Sequence, residues 1–152
     1  PGGKNLAPRQ FERQWRGGRP ADTDLAQMAT EYRAKFPGTA LLSDFDSAGW
    51  AWLCAGGSLP RLPKTTDAKL LAAIPRLRPW LDASRHGCWA LREADKQMLV
   101  YVGAELDLLG EAGMFRVNRV NTRTGEVTPG EMVNAGGKVT LADAKVVWLT
   151  KD

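Results

Sequence analysis

From Cys88 to Thr150 short apolar segments recur at intervals of about eight to twelve residues, separated by Gly, Asn, Asp and Pro, which is the rhythm of an antiparallel sandwich. The segments Cys88–Glu93, Gln97–Gly103, Glu105–Leu109, Met114–Asn121, Gly125–Thr128, Lys138–Leu141 and Lys145–Thr150 are each of strand length. Within Phe115–Asn121, Phe115 and Val117 share one parity while Arg116 and Asn118 take the other. A side-chain period of two places Phe115 and Val117 on a buried face. Arg119 and Val120 break the alternation, which predicts a bulge or a twist at Asn118-Arg119. Asn121–Glu126 begins with a residue suited to an Asx turn and contains Gly125, free to take positive φ, so a hairpin is expected there; Asn134–Gly137 supplies a second turn.

The first half follows a helical period. Asp22 or Thr23 can cap a helix running to about Phe36, with Leu25, Met28, Ala29 and Tyr32 on one face and Pro37-Gly38 as its stop. Thr39–Ser43 reads as a short buried strand followed by a loop at Asp44–Ser47. Ala48–Ala55 is almost wholly apolar and fits a buried helix or a strand; Asp46 or Ser47 as cap and Gly56 as stop favour the helix. Thr65 or Thr66 caps a further helix, Asp67–Leu77, with an apolar stripe of Leu70, Leu71, Ile74 and Leu77, and Pro75 should kink or end it. Residues 1 to 21 are broken by Pro and Gly and hold at most a short helix, Pro8–Arg16, pairing Phe11 with Trp15. The expected fold is α+β: a mainly helical N-terminal segment, residues 1–82, followed by a C-terminal antiparallel β-sandwich, residues 83–152.

Composition changes this picture little, because 152 residues make one average domain or two small ones. Charge placement adds more. Residues 1 to 85 carry 13 basic and 8 acidic side chains, whereas residues 86 to 152 carry 8 and 9. Such an asymmetry marks either an acidic partner, nucleic acid or an anionic polysaccharide, or a solvated surface with interleaved acids as at Phe11–Arg16. Cys54 and Cys88 allow at most one disulfide, and Cys54, within an apolar run, reads as an inert buried thiol. A single histidine, His86, read as a surface or turn residue, argues against a multi-histidine metal site. No nucleophile elbow, phosphate-cradling loop or Cys-x-x-Cys pair is present, so no metal or cofactor is implied. No apolar run approaches 18 residues, so no membrane span is expected, and no signal peptide is visible. The chain opens at Pro1, without Met, on a Gly-rich basic stretch, as expected of a processed product or a piece of something longer.

Leu106–Leu108, Phe115–Val127, Gly137–Leu141 and Val146–Leu149 together resemble the terminal β-sandwich of a group of bacterial glycoside-hydrolase-like proteins, the apiosidase-like barrel proteins with a collagen-binding-like terminal domain. An aromatic-Asp-Pro-Arg-Thr-Gly-like turn is usual in that group, and here Asn121-Thr122 stand where Asp-Pro is expected. Gly49–Pro63 and Leu70–Trp80 are similar to the last barrel segment of such enzymes and the helix leading out of it. A complete barrel needs on the order of 250 residues, so the resemblance implies the C-terminal portion of such a protein, or a partner chain to its missing part. It also implies a secreted or periplasmic setting.

That resemblance implies glycosidic bond hydrolysis by two carboxyl groups, and barrel catalytic groups sit at the C-terminal ends of strands. Asp44 and Asp46, which follow the strand expected at Thr39–Ser43, are the carboxylates with that placement; the competing reading makes Asp46 a helix cap and Asp44 a loop residue. Of the six tryptophans, Trp15, Trp80 and Trp89 are candidate sugar-stacking residues, whereas Trp50, Trp52 and Trp148 lie in apolar runs and suit a core. The function expected is the C-terminal part of a carbohydrate-active protein, the sandwich stabilising the whole or holding a polysaccharide. The alternative is a non-catalytic module docking on another polypeptide. Nucleic-acid binding through Lys4, Arg9, Arg13, Arg16 and Arg19, with Phe11 and Trp15 interleaved, ranks last.

Overall fold

In the computed structural model residues 20–43, 49–101, 105–108, 111–140 and 144–151 are described, the side chains of residues 84–86 and 107 apart. The helix expected from Asp22 is α1, Asp22–Lys35. Asp22 and Asp24 in its first turn and Arg33 and Lys35 in its last oppose the helix dipole at both ends. Its cap is Ala21, in extended backbone and without a side-chain bond, so neither Asp22 nor Thr23 serves as the cap. Leu25, Ala26, Met28 and Ala29 are buried and Tyr32 packs beside them, the face that the period marks.

Residues 39–43, expected as a strand, do not form one. Leu41 is clipped to Ser58 from both sides: Leu41 N donates to Ser58 Oγ at 3.1 Å and Leu41 O accepts from Ser58 N at 2.7 Å. The partner segment cannot extend that clip into a ladder, because Leu59 has φ +48° and Pro60 lacks a donor. Leu42 is accordingly exposed.

The apolar run that could be helix or strand is a helix, α2, Gly49–Cys54, with every residue buried. Gly56, at φ +89°, ends it. Both of its indoles are satisfied by backbone, Trp50 Nε1 donating to Thr122 O at 3.0 Å and Trp52 Nε1 to Ser58 O at 3.2 Å. The third helix, α3, spans Ala68–Ala73, and its cap is Asp67, whose carboxylate accepts from Lys69 N and Leu70 N. Thr65 and Thr66, expected as caps, are engaged elsewhere, donating to Thr124 O and Pro63 O. Pro75 tightens the chain into a 3-10 turn at Ile74–Arg76. Leu70 and Leu77 are buried and Ile74 half-buried, but Leu71 is exposed, so the stripe is narrower than expected.

The strands are β1 Arg78–Trp80, β2 Trp89–Glu93, β3 Gln97–Tyr101, β4 Glu105–Asp107, β5 Met114–Val120, β6 Val127–Asn134, β7 Lys138–Thr140 and β8 Val146–Lys151. Six form an antiparallel sheet in the order β1-β2-β3-β8-β5-β6, and β4 and β7 pair as a small second layer. The protein is therefore α+β, with a sandwich-like C-terminal half. Both outer strands of the large sheet contain proline, Pro79 in β1 and Pro129 in β6.

The large sheet is buried on both faces, which explains the broken alternation in β5. Phe115 and Val117 face the small layer with Ala90, Met98, Val100, Val147, Leu149, Leu106 and Val139. Val120 belongs to the other face, against the helices, with Trp89, Leu91, Leu99, Tyr101 and Val146. Asn118 and Arg119, where a bulge was expected, pair regularly with Pro129 and Thr128. The register irregularity lies one step earlier and its extra residue is in the partner strand, since Arg116 pairs with Met132 and Asn118 with Pro129, so that Gly130 and Glu131 of β6 both oppose Val117. Cys54 and Cys88 are both buried and lie in the cores on opposite faces of this sheet, so they do not pair with each other.

The hairpin expected at Gly125 joins β5 to β6. Asn121 Oδ1 accepts from Arg123 N and Thr124 N, and Gly125 N donates to Asn121 O at 2.7 Å. This turn also docks on the helical segment: Gly125 O accepts from Asp67 N at 3.0 Å, and Thr122 O receives the Trp50 indole. Helices and strands thus share one core, and the boundary near residue 82 is a change of secondary structure within it. Each fully buried Leu or Phe stabilises by about 2 kcal/mol, more than an exposed ion pair contributes. The two apolar layers therefore dominate the fold.

Candidate functional site

Three cross-strand rows run over the helix-facing side of the large sheet. The first, Trp89–Tyr101–Val146–Val120, and the second, Leu91–Leu99–Trp148–Asn118, lie at the level of the helices. The third, Glu93–Gln97–Thr150–Arg116, is wholly polar. Around its Glu93 end lies an open depression of about 480 Å³, lined by Arg76, Glu93, Asp95, Lys96, Gln97, Thr150 and Lys151.

The network in this depression is built from the sheet outward. Gln97 is 6% exposed, and its amide is held at both ends, Oε1 accepting from Trp148 Nε1 at 3.1 Å and Nε2 donating to Glu93 Oε2 at 2.8 Å. Glu93 also meets Lys96 Nζ at 2.8 Å and Arg76 Nε at 3.5 Å. Lys96 first, then Gln97, hold its carboxyl below the usual glutamate range, with Arg76 adding to the effect. Glu93 therefore stays ionised and serves as an acceptor; a general acid would need the opposite shift. From the second row, Asn118 Nδ2 donates to Thr150 Oγ1 at 3.1 Å and to Trp148 O at 2.9 Å.

The turn carrying Lys96 is fixed from the other face. Glu111, itself buried, accepts from Arg92 Nη1 at 3.3 Å and from Asp95 N at 3.2 Å, and Asp95 sits at φ +59°. Arg92 in turn lies over Trp80, 4.7 Å from the ring centroid.

Of the residues singled out in the sequence, Trp15, Asp44 and Asp46 lie outside the described residues, as does the helix expected at Pro8–Arg16. Trp80 is half-buried, with one ring face covered by Arg92. Trp89 is a correction: it is buried against Tyr101, centroids 6.3 Å apart, and supplies core volume where a stacking face was expected. Its Nε1 is a buried atom without a hydrogen-bond partner among the described residues, a cost of about 1–3 kcal/mol offset by burial of the ring. Trp50 and Trp52 are core residues, as expected. Burial raises the thiol pKa of Cys54 far beyond the ordinary range and raises that of Cys88, so neither suits nucleophilic chemistry. The backbone of His86 closes a 3-10 turn. Among the described residues no group of three His, Cys, Asp or Glu side chains is placed to hold a metal ion, and no helix is long and apolar enough to cross a membrane.

Glu93, Gln97, Lys96 and Arg76 were not marked by any motif. A signal existed, since Gln97 shares parity with Leu99 and Tyr101, and Thr150 with Trp148. Polar residues at apolar positions of three adjacent strands identify the row, but only once the strand order is known.

The chain is thus an α+β protein whose helical segment ends as its sheet begins. Residues 1–77 match the model of a family described as a domain of unknown function, DUF6298; the match covers just over half of the 152 residues, and the chain belongs to that family. Neither a search of curated proteins nor a search of solved structures finds a match.

Proposed function

We propose that the chain is the C-terminal part of a carbohydrate-active, glycoside-hydrolase-like protein, in which the sheet is an accessory layer that stabilises the helical segment and presents a glycan-binding surface. One observation carries this reading. Leu25, Leu53, Leu70 and Leu77 of the family-matching segment are buried in one cluster with Leu91, Leu99, Tyr101 and Val146 of the sheet, and the β5-β6 turn is bonded to Trp50 and Asp67. A layer so joined would hold the helical segment in place and carry its polar row at a fixed position.

Affinity electrophoresis of the whole chain through gels cast with a panel of polysaccharides tests this. Retardation by at least one glycan is expected, with no release of reducing sugar. A folded chain retarded by none of them, or one that hydrolyses a glycan unaided, overturns the proposal.

A second reading, docking on another polypeptide, is favoured by Leu59, which projects 82% exposed from a left-handed backbone near the exposed Leu42. Strained backbone of this kind concentrates at working surfaces.

A further inference from the structure

At the Glu93 end of the polar row cations outnumber carboxylates. The depression is lined by three cations, Arg76, Lys96 and Lys151, against two carboxylates, Glu93 and Asp95, which leaves one positive charge uncompensated. Two of these cations converge on Glu93, yet the side chains of Arg76 and Lys96 remain 60% and 70% exposed. Exposed pairs of this kind contribute little to folding, so these long side chains can turn to a ligand without unfolding the site. The floor is different. Gln97 is buried and tied at both ends of its amide, so Glu93, to which it donates, has a rigid support.

We infer that this depression binds an acidic sugar unit, with its carboxylate held by Arg76 and Lys96 and its hydroxyl groups by Glu93 and Thr150. The inference rests on the carbohydrate reading above and deepens it. The charge balance selects the class. A single surplus positive charge suits one carboxylate per unit, and the fixed Glu93 anion repels a dense polyanion while accepting from hydroxyl groups. Thr150 Oγ1 already accepts from Asn118 and keeps its own O–H to donate. The volume, about 480 Å³, lies within the range of roughly 300–1,000 Å³ usual for small-ligand sites.

The test is affinity electrophoresis of the intact chain in gels containing polygalacturonate, the neutral polymer hydroxyethylcellulose, or poly-L-glutamate. Retardation by polygalacturonate is expected, weakened about fivefold to tenfold by Arg76→Gln and by Lys96→Gln, since each removes one charge-assisted contact. Lys64→Gln, remote from the depression, should leave it unchanged, and circular dichroism of each variant confirms its fold. Equal retardation by poly-L-glutamate, or retardation by polygalacturonate indifferent to both substitutions, overturns the inference. Retardation by the neutral polymer alone overturns it but leaves the glycan reading standing; retardation by no glycan defeats both.

Discussion

Gly125 shows how much a single position can hold. At φ +76°, a Cβ there would lie 2.2 Å from Thr66 Oγ1 and 2.5 Å from Thr66 Cα, so backbone would have to move. Gly87, at φ +70°, has nothing within 4 Å of the same atom. Gly87→Ala should therefore cost only the left-handed backbone penalty, about 1–2 kcal/mol, and Gly125→Ala about 3 kcal/mol or more. Urea midpoints at unchanged slope measure both, and equal losses would mean that the turn is not seated on the helical segment. Glu93 makes a prediction in pH. Its carboxyl is held below its ordinary value by Lys96, Gln97 and Arg76, so its contribution is fully present above the unfolded-state value, about 4.3, and fades as pH falls through the lower folded-state value. The stability difference between the native chain and Glu93→Gln should shrink on acidification through that window and with added salt. A difference unchanged down to pH 2 would contradict the assignment. At this scale the sequence was legible where backbone chemistry is local, as at Asn121 and Gly125. Gln97 was harder to read, because its partners Trp148 and Glu93 lie on different strands.

Among the elements, the helices meet at one arginine. Arg33, in the last turn of α1, donates through Nε and Nη2 to Gly56 O at 2.9 and 2.7 Å, and through Nη1 to Pro37 O and Thr39 O, each at 2.8 Å. It thereby satisfies carbonyls beyond the ends of both α1 and α2. Arg33→Lys keeps the charge but loses the planar fork, so thermal unfolding should report a loss of about 2 kcal/mol; an unchanged melting temperature would show that these carbonyls find water equally well. Nothing in the sequence distinguished Arg33 from a solvated charge, since Gly56 lies 23 residues away. The helices themselves were readable because apolar spacing and stop residues are local signals. The strand expected at Thr39–Ser43 failed for the converse reason. A strand exists only if a neighbour offers a ladder, and the segment beside this one holds Leu59 in a left-handed turn and then a proline.

On the scale of the molecule, the change of period near residue 82 is visible in the sequence, but the common core beneath it is not. Tyr101 marks the join: burial first, and then Asp22 at the start of α1, push its phenol up to about 12. Polypeptides 1–82 and 83–152 made separately should each lack a cooperative transition and regain one on mixing, followed by circular dichroism and near-ultraviolet fluorescence. A sharp independent melt of either piece would show that the shared core is dispensable. The strand rhythm predicted the sandwich correctly, but it could not say that β8 returns between β3 and β5, and that insertion is what sets Thr150 beside Gln97. The rims of the large sheet have a further bearing on how copies of the chain behave when crowded. Pro79 and Pro129 each lack the amide hydrogen that an incoming strand would need, and the extra residue opposite Val117 bends the longer rim out of plane. Growth of fibrils by templated addition would stall at either border, so a sheet that hides its apolar faces also resists recruiting its neighbours.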